Sequence, residues 1–373
     1  MEPYEKKSCG YYELTVDWMR EMPVGDIAGP SVQSFDFGGE TEFRSPGSVE
    51  PWIHPYLTAY RKKPEDGFIA SIPLGKLWGH SGAVLTPDGM LLGDVSREYD
   101  DVMNDMTTTE RHPIFQQRDH TALEFVRGTT AALAFCGGYN YFHWMYDVMA
   151  RWGMLVETGI DYDRVVVKAN PYGTFARQTL AMLGLSDEKV IRTHPNLFLQ
   201  AERLIVPSLL MSSHYPKWAT LMLRKLFLPH QAVNMPVQER IFISRNRASY
   251  RRMVNEDAVK DVLSSLGFSI VILEDLSVAE QIALFVSARV VVAPHGAGLT
   301  NLAFCQPGTK VVEIFHPGHI VPVYWMISNH NELDYYLMYG QSQKVEGVYF
   351  AGLENIQVDI GTLVKTLELA GIV

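Results

Sequence analysis

Three short stretches hold the side chains that could do chemistry in this 373-residue chain. The first contains His143 and Asp147, the second contains Arg245 and Arg252, and the third contains His295. An imidazole or a carboxylate can take a proton from a hydroxyl, and paired guanidinium groups bind phosphate oxygens. His295 could hydrogen-bond a phosphate or cap its own turn. These residue types indicate a phosphate site and, separately, an acid–base group.

The third stretch, residues 289–314, predicts a strand, a tight turn, a short helix and a second strand. Three successive valines before Pro294 indicate a strand that is buried on both faces. Gly296 and Gly298 then form the turn, ahead of a helix from about Leu299 to Cys305. A helix N-terminus behind glycines offers free N–H groups and lets a phosphate come close.

A dinucleotide fingerprint is the nearest alternative for this turn. Gly296 and Gly298 fit the first two glycines of G-x-G-x-x-G, but Asn301 stands at the third position. Glu313 ends the following strand, where an acid commonly binds ribose hydroxyls. Its alternative is a carboxylate at the edge of the core, paired with Lys310.

The second stretch, Ser244–Glu256, follows a predicted strand at Ile241–Ile243 and carries four arginines within eight residues. Guanidinium pairs bind phosphate bidentately. A solvated basic loop is the alternative, and the position opposite the glycine turn favours phosphate binding.

The first stretch, Asn140–Asp147, follows a predicted strand and a double-glycine turn. His143 and Asp147 are four residues apart, so they share a face of a helix predicted from Tyr141 to about Glu157. That face could take a proton from an attacking hydroxyl. Alternatively, Asp147 could form a plain helix salt bridge with Arg151, and His143 could simply be packed among aromatic residues.

Composition limits the class of protein. The net charge is −10 and the pI is about 5.6, which argues against nucleic acid as the main partner. Cys9, Cys136 and Cys305 lie far apart without metal spacing, which indicates a reducing compartment. No signal peptide or stretch of ~20 apolar residues is present. We therefore expect a cytoplasmic protein, either free or peripheral at the inner face of the membrane.

The order of predicted elements indicates an α/β protein with two domains. Strands and helices alternate before and after a linker, so we expect parallel sheets in residues 1–235 and 236–373. Residues 1–66 predict an irregular wrapping segment, and residues 83–92 predict a β-hairpin. A terminal helix is predicted near 359–370, and packing back on the N-terminal domain is one option for it.

Taken together, the three stretches resemble glycosyltransferase family 61. The matching pieces are NYFHWMYD, ISRNRASYRRMVNED and VVVAPHGAGLTNLAF with PGTKVVEIF, in this order, over roughly residues 120–320. That family includes plant xylosyl- and arabinosyltransferases, animal N-acetylglucosaminyltransferases acting on protein O-glycans, and bacterial enzymes of capsule or lipopolysaccharide synthesis. The resemblance implies a GT-B arrangement, with two Rossmann-like domains facing a cleft. It also implies inversion, a nucleotide-sugar donor, mostly UDP-linked, and no metal or other cofactor.

The resemblance assigns roles by position. His143 and Asp147 match the N-terminal-domain motif, which makes them the candidate catalytic residues. The first 65 residues match nothing in the family, and the lack of a membrane anchor or luminal disulfide pattern fits a bacterial cytosolic enzyme better than a Golgi one. The predicted donor-binding residues are Ser244, Arg245, Arg252, Asn255, His295, Gly296, Ala297, Gly298, Leu299, Thr300, Asn301 and Glu313.

The sequence thus predicts an inverting, metal-independent hexosyl- or pentosyltransferase in polysaccharide biosynthesis. The C-terminal domain would hold the nucleotide sugar, and the N-terminal domain would hold a glycan or other hydroxyl acceptor. Asp147 is the first choice of base, with His143 as its partner or substitute. Two alternatives are a nicotinamide oxidoreductase, which the incomplete glycine fingerprint disfavours, and a sugar-nucleotide-binding protein without catalysis.

Overall fold

The structure is a computed structural model that describes residues 10–22, 29–100, 105–116, 122–170, 173–210 and 214–373. The chain forms two compact units. The first unit comprises Met1–Phe37 and Glu65–Ser213, and the second comprises Gly38–Pro64 and His214–Val373. Each unit has its own sheet, which confirms the predicted α/β class with parallel strands. The GT-B arrangement of the two domains stays a prediction.

The described strands are, in chain order, β1 (Gly10–Tyr12), β2 (Ser31–Phe35), β3 (Thr41–Phe43), β4 (Tyr60–Lys62), β5 (Gly67–Pro73), β6 (Lys76–Trp78), β7 (Ala83–Leu85), β8 (Met90–Leu92), β9 (Tyr99–Asp100), β10 (Asp105–Met106), β11 (Glu124–Ala132), β12 (Arg164–Val167), β13 (Val190–Arg192), β14 (Phe198–Pro207), β15 (Arg240–Ile243), β16 (Ser269–Val271), β17 (Val290–Pro294), β18 (Lys310–Phe315), β19 (Asp334–Tyr339), β20 (Gln341–Gln343) and β21 (Asn355–Gln357). The α-helices are α1 (Thr15–Glu21), α2 (Tyr141–His143), α3 (Ala150–Thr158), α4 (Thr174–Met182), α5 (Lys217–Phe227), α6 (Glu256–Ser265), α7 (Val278–Ser287), α8 (Val323–His330) and α9 (Ile360–Leu369).

The second unit is built on a five-stranded parallel sheet with the order β16-β15-β17-β18-β19. Val291, Val292, Val311 and Val312 are completely buried, as expected for central strands covered on both faces. If the five strands are numbered in chain order, their order across the sheet is 2-1-3-4-5. The chain therefore builds the sheet outwards in opposite directions on the two sides of the boundary between β15 and β17. In open α/β sheets, ligands bind outside the carboxyl ends of the strands at such a reversal.

The first unit is built on a ten-stranded mixed sheet. Its parallel part has the order β13-β12-β11-β14, and β5 and β6 pair antiparallel with β14. The parallel part reverses between β11 and β14, so the segment after β11 also leaves the sheet at a reversal point. The predicted hairpin is confirmed as β7 and β8, which are joined by a turn with Gly89 at φ 94°.

The N-terminal wrapping segment does not belong wholly to the first unit. Residues 38–64 lie with the second unit, where Gly47 donates to the Tyr335 carbonyl at 2.9 Å and accepts from the Leu337 amide at 3.0 Å. The indole of Trp325 donates to the Arg44 carbonyl at 2.8 Å. Strand β19 is the outermost strand of its sheet, and the segment satisfies backbone groups that this strand would leave unpaired.

The predicted domain boundary at residue 235 also shifts, because α5 belongs to the second unit. The Arg224 guanidinium donates to the carbonyls of Ala303 and Cys305 at 2.8 and 2.7 Å. Thr220 hydrogen-bonds His330 at 2.8 Å in a buried position. These contacts place the start of the second unit's main segment at His214.

The terminal helix α9 covers the second unit's own sheet. Leu363 and Leu367 are completely buried in one cluster with Val292, Val312 and Met338. The helical spacing of the apolar residues predicted the helix, but spacing cannot identify the sheet that a helix covers. No helix in the described parts of the chain is long and apolar enough to cross a membrane.

His112 gives the first unit a testable acid sensitivity. Its Nδ1 accepts from the Ile114 amide at 3.2 Å, its side chain is almost fully buried, and burial lowers its pKa to about 4. Between pH 6.5 and pH 4, His112 binds a proton in the unfolded chain but stays neutral in the folded chain. Stability contributed by the neutral imidazole is therefore lost as the pH falls from 6.5 towards 4.

We expect the free energy of unfolding to fall by about 2 kcal/mol between pH 7 and pH 5 because of His112 alone. His112→Asn keeps an acceptor for the Ile114 amide and does not titrate, so urea unfolding of this variant should show a smaller pH dependence. The exposed His194→Asn is the matched control and should behave as wild type. Equal pH slopes for wild type and His112→Asn would contradict the assignment.

Candidate active site

The second unit brings the arginine stretch and the glycine turn together at its reversal point. Arg245 follows β15 and Gly296 follows β17, at the carboxyl ends of neighbouring strands. A Cβ atom at position 296 would lie 2.1 Å from Nη1 of Arg245. Gly296 has an extended φ of 175°, so its backbone conformation does not need glycine, but its missing side chain leaves room for the Arg245 guanidinium group.

Arg251 stands beside Arg245 and is not among the predicted donor-binding residues. Its Nε donates to the His295 carbonyl at 3.2 Å, and its Nη1 donates to the Gly352 carbonyl at 2.8 Å. Both guanidinium groups lie over the ring of Tyr250, at 5.6 Å for Arg245 and 5.2 Å for Arg251. Arg251 also has a φ of 54°, a left-handed conformation that is uncommon for non-glycine residues and concentrates at functional sites.

The guanidinium groups of Arg245 and Arg251 form no salt bridge with any described residue. Within the described parts of the chain, no carboxylate lies within ion-pairing distance of Arg245 or Arg251, whereas Arg247 pairs with Asp275. Burial lowers the pKa of both groups, and Arg245 lowers the pKa of Arg251 further. Two adjacent, partly desolvated positive charges that donate hydrogen bonds to carbonyls are a favourable site for an anion.

Three predicted donor residues hold the protein together in this structure. The Ser244 hydroxyl donates to the Glu256 carboxylate at 2.5 Å, and the Asn255 amide makes two hydrogen bonds to the backbone of Val358. Arg252 has an exposed side chain, and its backbone amide donates to the Asn355 side chain. The structure therefore places Arg251, and not its neighbour Arg252, next to Arg245.

His295 is the centre of a buried hydrogen-bond relay. Its Nδ1 lies 2.5 Å from Oε1 of Glu313, and the Tyr335 hydroxyl donates to the second oxygen of Glu313 at 2.5 Å. Burial raises the pKa of Glu313 to about 8, while burial together with Arg251 and Arg245 holds the pKa of His295 well below its usual value. Both shifts favour a neutral pair in which the carboxyl proton bonds Nδ1. The opposite ring nitrogen, Nε2, then carries a hydrogen to donate.

Glu313 therefore does not fit the predicted contact with ribose. It is completely buried, and both of its oxygens are already bonded within the protein. The predicted alternative, a pair with Lys310, does not apply either, because the Lys310 ammonium donates to the Gly371 carbonyl. Glu313 orients His295 instead.

The predicted short helix is a 3-10 helix, Ala297–Phe304. The Asn301 amide fixes its start by donating to Gln281 at 2.9 Å and to the Gly298 carbonyl at 3.1 Å. Leu299 and Thr300 are buried and support the turn from below. The first N–H groups of the helix have no partner within it and lie on the segment that begins at Gly296.

In the first unit, His143 and Asp147 form a hydrogen-bonded pair. Nδ1 of His143 lies 2.7 Å from Oδ2 of Asp147, on a helix that turns from α-helix to π-helix at Trp144–Met149. Single π-helical turns within α-helices are rare and frequently occur at functional sites. Asn140 caps the start of the helix by accepting from the Phe142 amide at 2.9 Å.

Gly137 leaves room for this histidine. A Cβ atom there would lie 2.9 Å from the His143 ring. Asp147 is completely buried, whereas 32% of the His143 side chain is exposed. In this structure a substrate hydroxyl could reach His143 and not Asp147. The preference for Asp147 as the base is therefore reversed in favour of His143.

Arg151 is a buried side chain that joins the ends of β11 and β14 at the reversal point of the first unit's sheet. Its guanidinium group is almost completely buried and donates to carbonyls at the ends of β11 and β14, namely Ala132, Leu133, Pro207 and Ser208. It also reaches the main-chain carbonyl of Asp147 at 3.2 Å. Arg151 thus ties the helix of His143 to the two strand ends, instead of making only the side-chain pair considered from the sequence.

These features define an α/β protein with two arginines beside a glycine turn in one unit and a histidine–aspartate pair in the other. Residues 141–312 match the family model described as Glycosyltransferase 61, a stretch that includes the histidine–aspartate pair, the arginine cluster and the glycine turn. This match supports membership of glycosyltransferase family 61, which implies that the chain is a glycosyltransferase. The oxidoreductase alternative is set aside by this result. No curated protein matches the chain significantly.

Proposed function

We propose that this glycosyltransferase moves a sugar, with inversion and without a metal ion, from a UDP-linked donor to a hydroxyl group of a glycan acceptor. The observation that best supports this proposal is the contact of Arg245 with Gly296, with Arg251 alongside. It provides two cations and a glycine turn at the sheet reversal, where ligands of open α/β sheets bind.

The second unit would bind the diphosphate of the donor. Arg245 and Arg251 would each bind phosphate oxygens, with further N–H donors from Ala297 and Gly298 and from Nε2 of His295. These groups would stabilise the negative charge that develops on the departing UDP. Positive groups that are fixed before the reaction are effective because they need no reorganisation when the charge appears.

His143 of the first unit would act as the general base. In a single displacement the acceptor oxygen forms a bond to the anomeric carbon while the bond from that carbon to the phosphate oxygen breaks. The acceptor proton passes to Nε2 of His143, and the bonding electrons leave with UDP. Asp147 would hold the imidazole in the reactive tautomer and stabilise the imidazolium that forms.

The first prediction compares two adjacent arginines. Arg251→Gln should weaken UDP binding by about 2–5 kcal/mol, because it removes a partly buried cation from the diphosphate site. Arg252→Gln removes the same charge one residue away on an exposed side chain, and should change UDP affinity by about 0.5 kcal/mol or less. Isothermal titration calorimetry with UDP measures both variants, together with Arg245→Gln as a positive control. Equal losses in Arg251→Gln and Arg252→Gln, or none in Arg245→Gln, would place the diphosphate elsewhere.

The second prediction separates the base from its positioning residue. His143→Ala should lower kcat by about 10²–10⁴ while UDP affinity and melting temperature stay unchanged. Asp147→Asn should lower kcat by a smaller factor and leave UDP affinity unchanged, because the imidazolium that forms in the transition state loses its anionic partner. His194→Ala is the control. A fully active His143→Ala variant combined with an inactive Asp147→Asn variant would return the base role to Asp147.

The third prediction concerns metal ions. Turnover should persist in excess chelator, because the arginine pair and the start of the 3-10 helix supply the positive charge. Activity is measured before and after dialysis against chelator, with manganese and magnesium added back. Loss of turnover that either ion restores would overturn the metal-free mechanism.

A further inference from the structure

The first unit contains a second cationic pocket, at the carboxyl ends of β12 and β13. It is a cavity of about 200 Å³ lined by residues that include Trp144, Lys168, Asn170, Thr174, Arg177 and Arg192. None of the described residues that line it is acidic. This pocket is separate from the arginine pair of the second unit and has no part in the mechanism derived above.

Lys168 gives the pocket a buried positive charge. Its side chain is almost fully buried, its Nζ donates to the Cys136 carbonyl at 2.5 Å, and burial lowers its pKa. Within the described parts of the chain, no carboxylate forms an ion pair with Lys168 or Arg177, whereas Arg192 pairs with Asp187 at 2.7 Å. A buried ammonium group with no ion-paired carboxylate among the described residues is costly. The more distant charge of Glu98 offsets part of that cost, and an anionic ligand would offset more.

Two further donors face the same cavity. The helix α4 begins at Thr174, and both Thr174 and Ala176 line the pocket, so the N-terminal end of the helix opens into it. The positive end of a helix favours an anion there. Arg177 is exposed on the same helix and could fork onto a phosphate or carboxylate.

The pocket is adjacent to the histidine–aspartate pair. The turn of residues 136–140 separates them, and its carbonyls at Cys136 and Tyr139 accept from Lys168 and Asn170. The other side of this turn touches His143 through Gly137. Trp144 lines the pocket and immediately follows His143. Only the turn of residues 136–140 would therefore separate a ligand in the pocket from His143, the candidate base.

We propose that this pocket binds an anionic substituent of the acceptor, so that the acceptor is a sugar that carries a phosphate or a carboxylate. The inference rests on the proposed acceptor role of the first unit. Fixing the charged substituent here would hold a hydroxyl of the same sugar, or of its neighbour, near His143. Neutral sugars would lack this anchor and would be poorer acceptors.

The test uses calorimetry with two compounds, a hexose 6-phosphate and a hexuronic acid, on the full chain without donor. At least one should bind, and the preferred compound identifies the substituent as phosphate or carboxylate. Arg177→Gln should weaken binding about tenfold or more, because it removes a charge-assisted hydrogen bond. Arg164→Gln removes the same charge at the opposite end of β12 and should leave binding unchanged.

Three results would overturn the proposal: no binding of either compound, equal effects of Arg177→Gln and Arg164→Gln, or unchanged affinity in Arg177→Gln. Arg177 is exposed, so its replacement does not endanger the fold, as that of buried Lys168 would. The experiment needs neither turnover nor UDP. If the proposed donor site is wrong, this binding experiment can still be interpreted. If neither compound binds in the pocket, the proposed donor site is unaffected.

Discussion

The structure of the second unit depends on keeping two positive charges partly buried beside a glycine turn. Arg245 occupies the space that a side chain at position 296 would fill, and Arg251 adopts a left-handed backbone to reach the same place. Both lie at the reversal point of a parallel sheet. Their guanidinium groups donate to carbonyls, and neither forms an ion pair with a carboxylate of the described residues. An arrangement that costs desolvation and backbone strain is retained where a ligand gains from it.

Each unit positions a histidine with buried polar groups, and these groups are neutral in the second unit and charged in the first. In the second unit, Glu313 and Tyr335 fix His295 through a relay in which burial disfavours charge. In the first unit, Arg151 joins two strand ends to the helix that presents His143. In both units a buried polar group positions a histidine at the carboxyl end of a parallel sheet. Positioning from within the core fixes a side chain more precisely than a surface loop would.

Much of the fold could be predicted from the sequence because it rests on local signals. Valine runs marked β17, the capping box of Ser277 and Glu280 marks the start of α7, and the spacing of Leu363 and Leu367 marked α9. The three chemical stretches were also found, since each follows a strand and contains unusual residue types. Gly296 was selected because glycine lets a phosphate come close, and the structure shows that it also leaves room for the Arg245 guanidinium group.

The remaining features depend on contacts between distant parts of the chain. The choice between Arg251 and Arg252 depends on a backbone conformation that spacing does not reveal. The role of Glu313 depends on Tyr335, and the membership of residues 38–64 in the second unit depends on pairing with β19. The exposure that favours His143 over Asp147 depends on how their helix packs. Such long-range effects regularly override local preference.

Hydrogen–deuterium exchange with and without UDP tests the central claim most directly, because it reports where the nucleotide binds in the intact chain. The proposed site predicts protection of the backbone amides in residues 244–252 and at Ala297 and Gly298, with little change in the first unit. Protection confined to the first unit, or none in residues 244–252 and 295–298 under saturating UDP, would contradict the claim that the arginine pair and the glycine turn form the donor site.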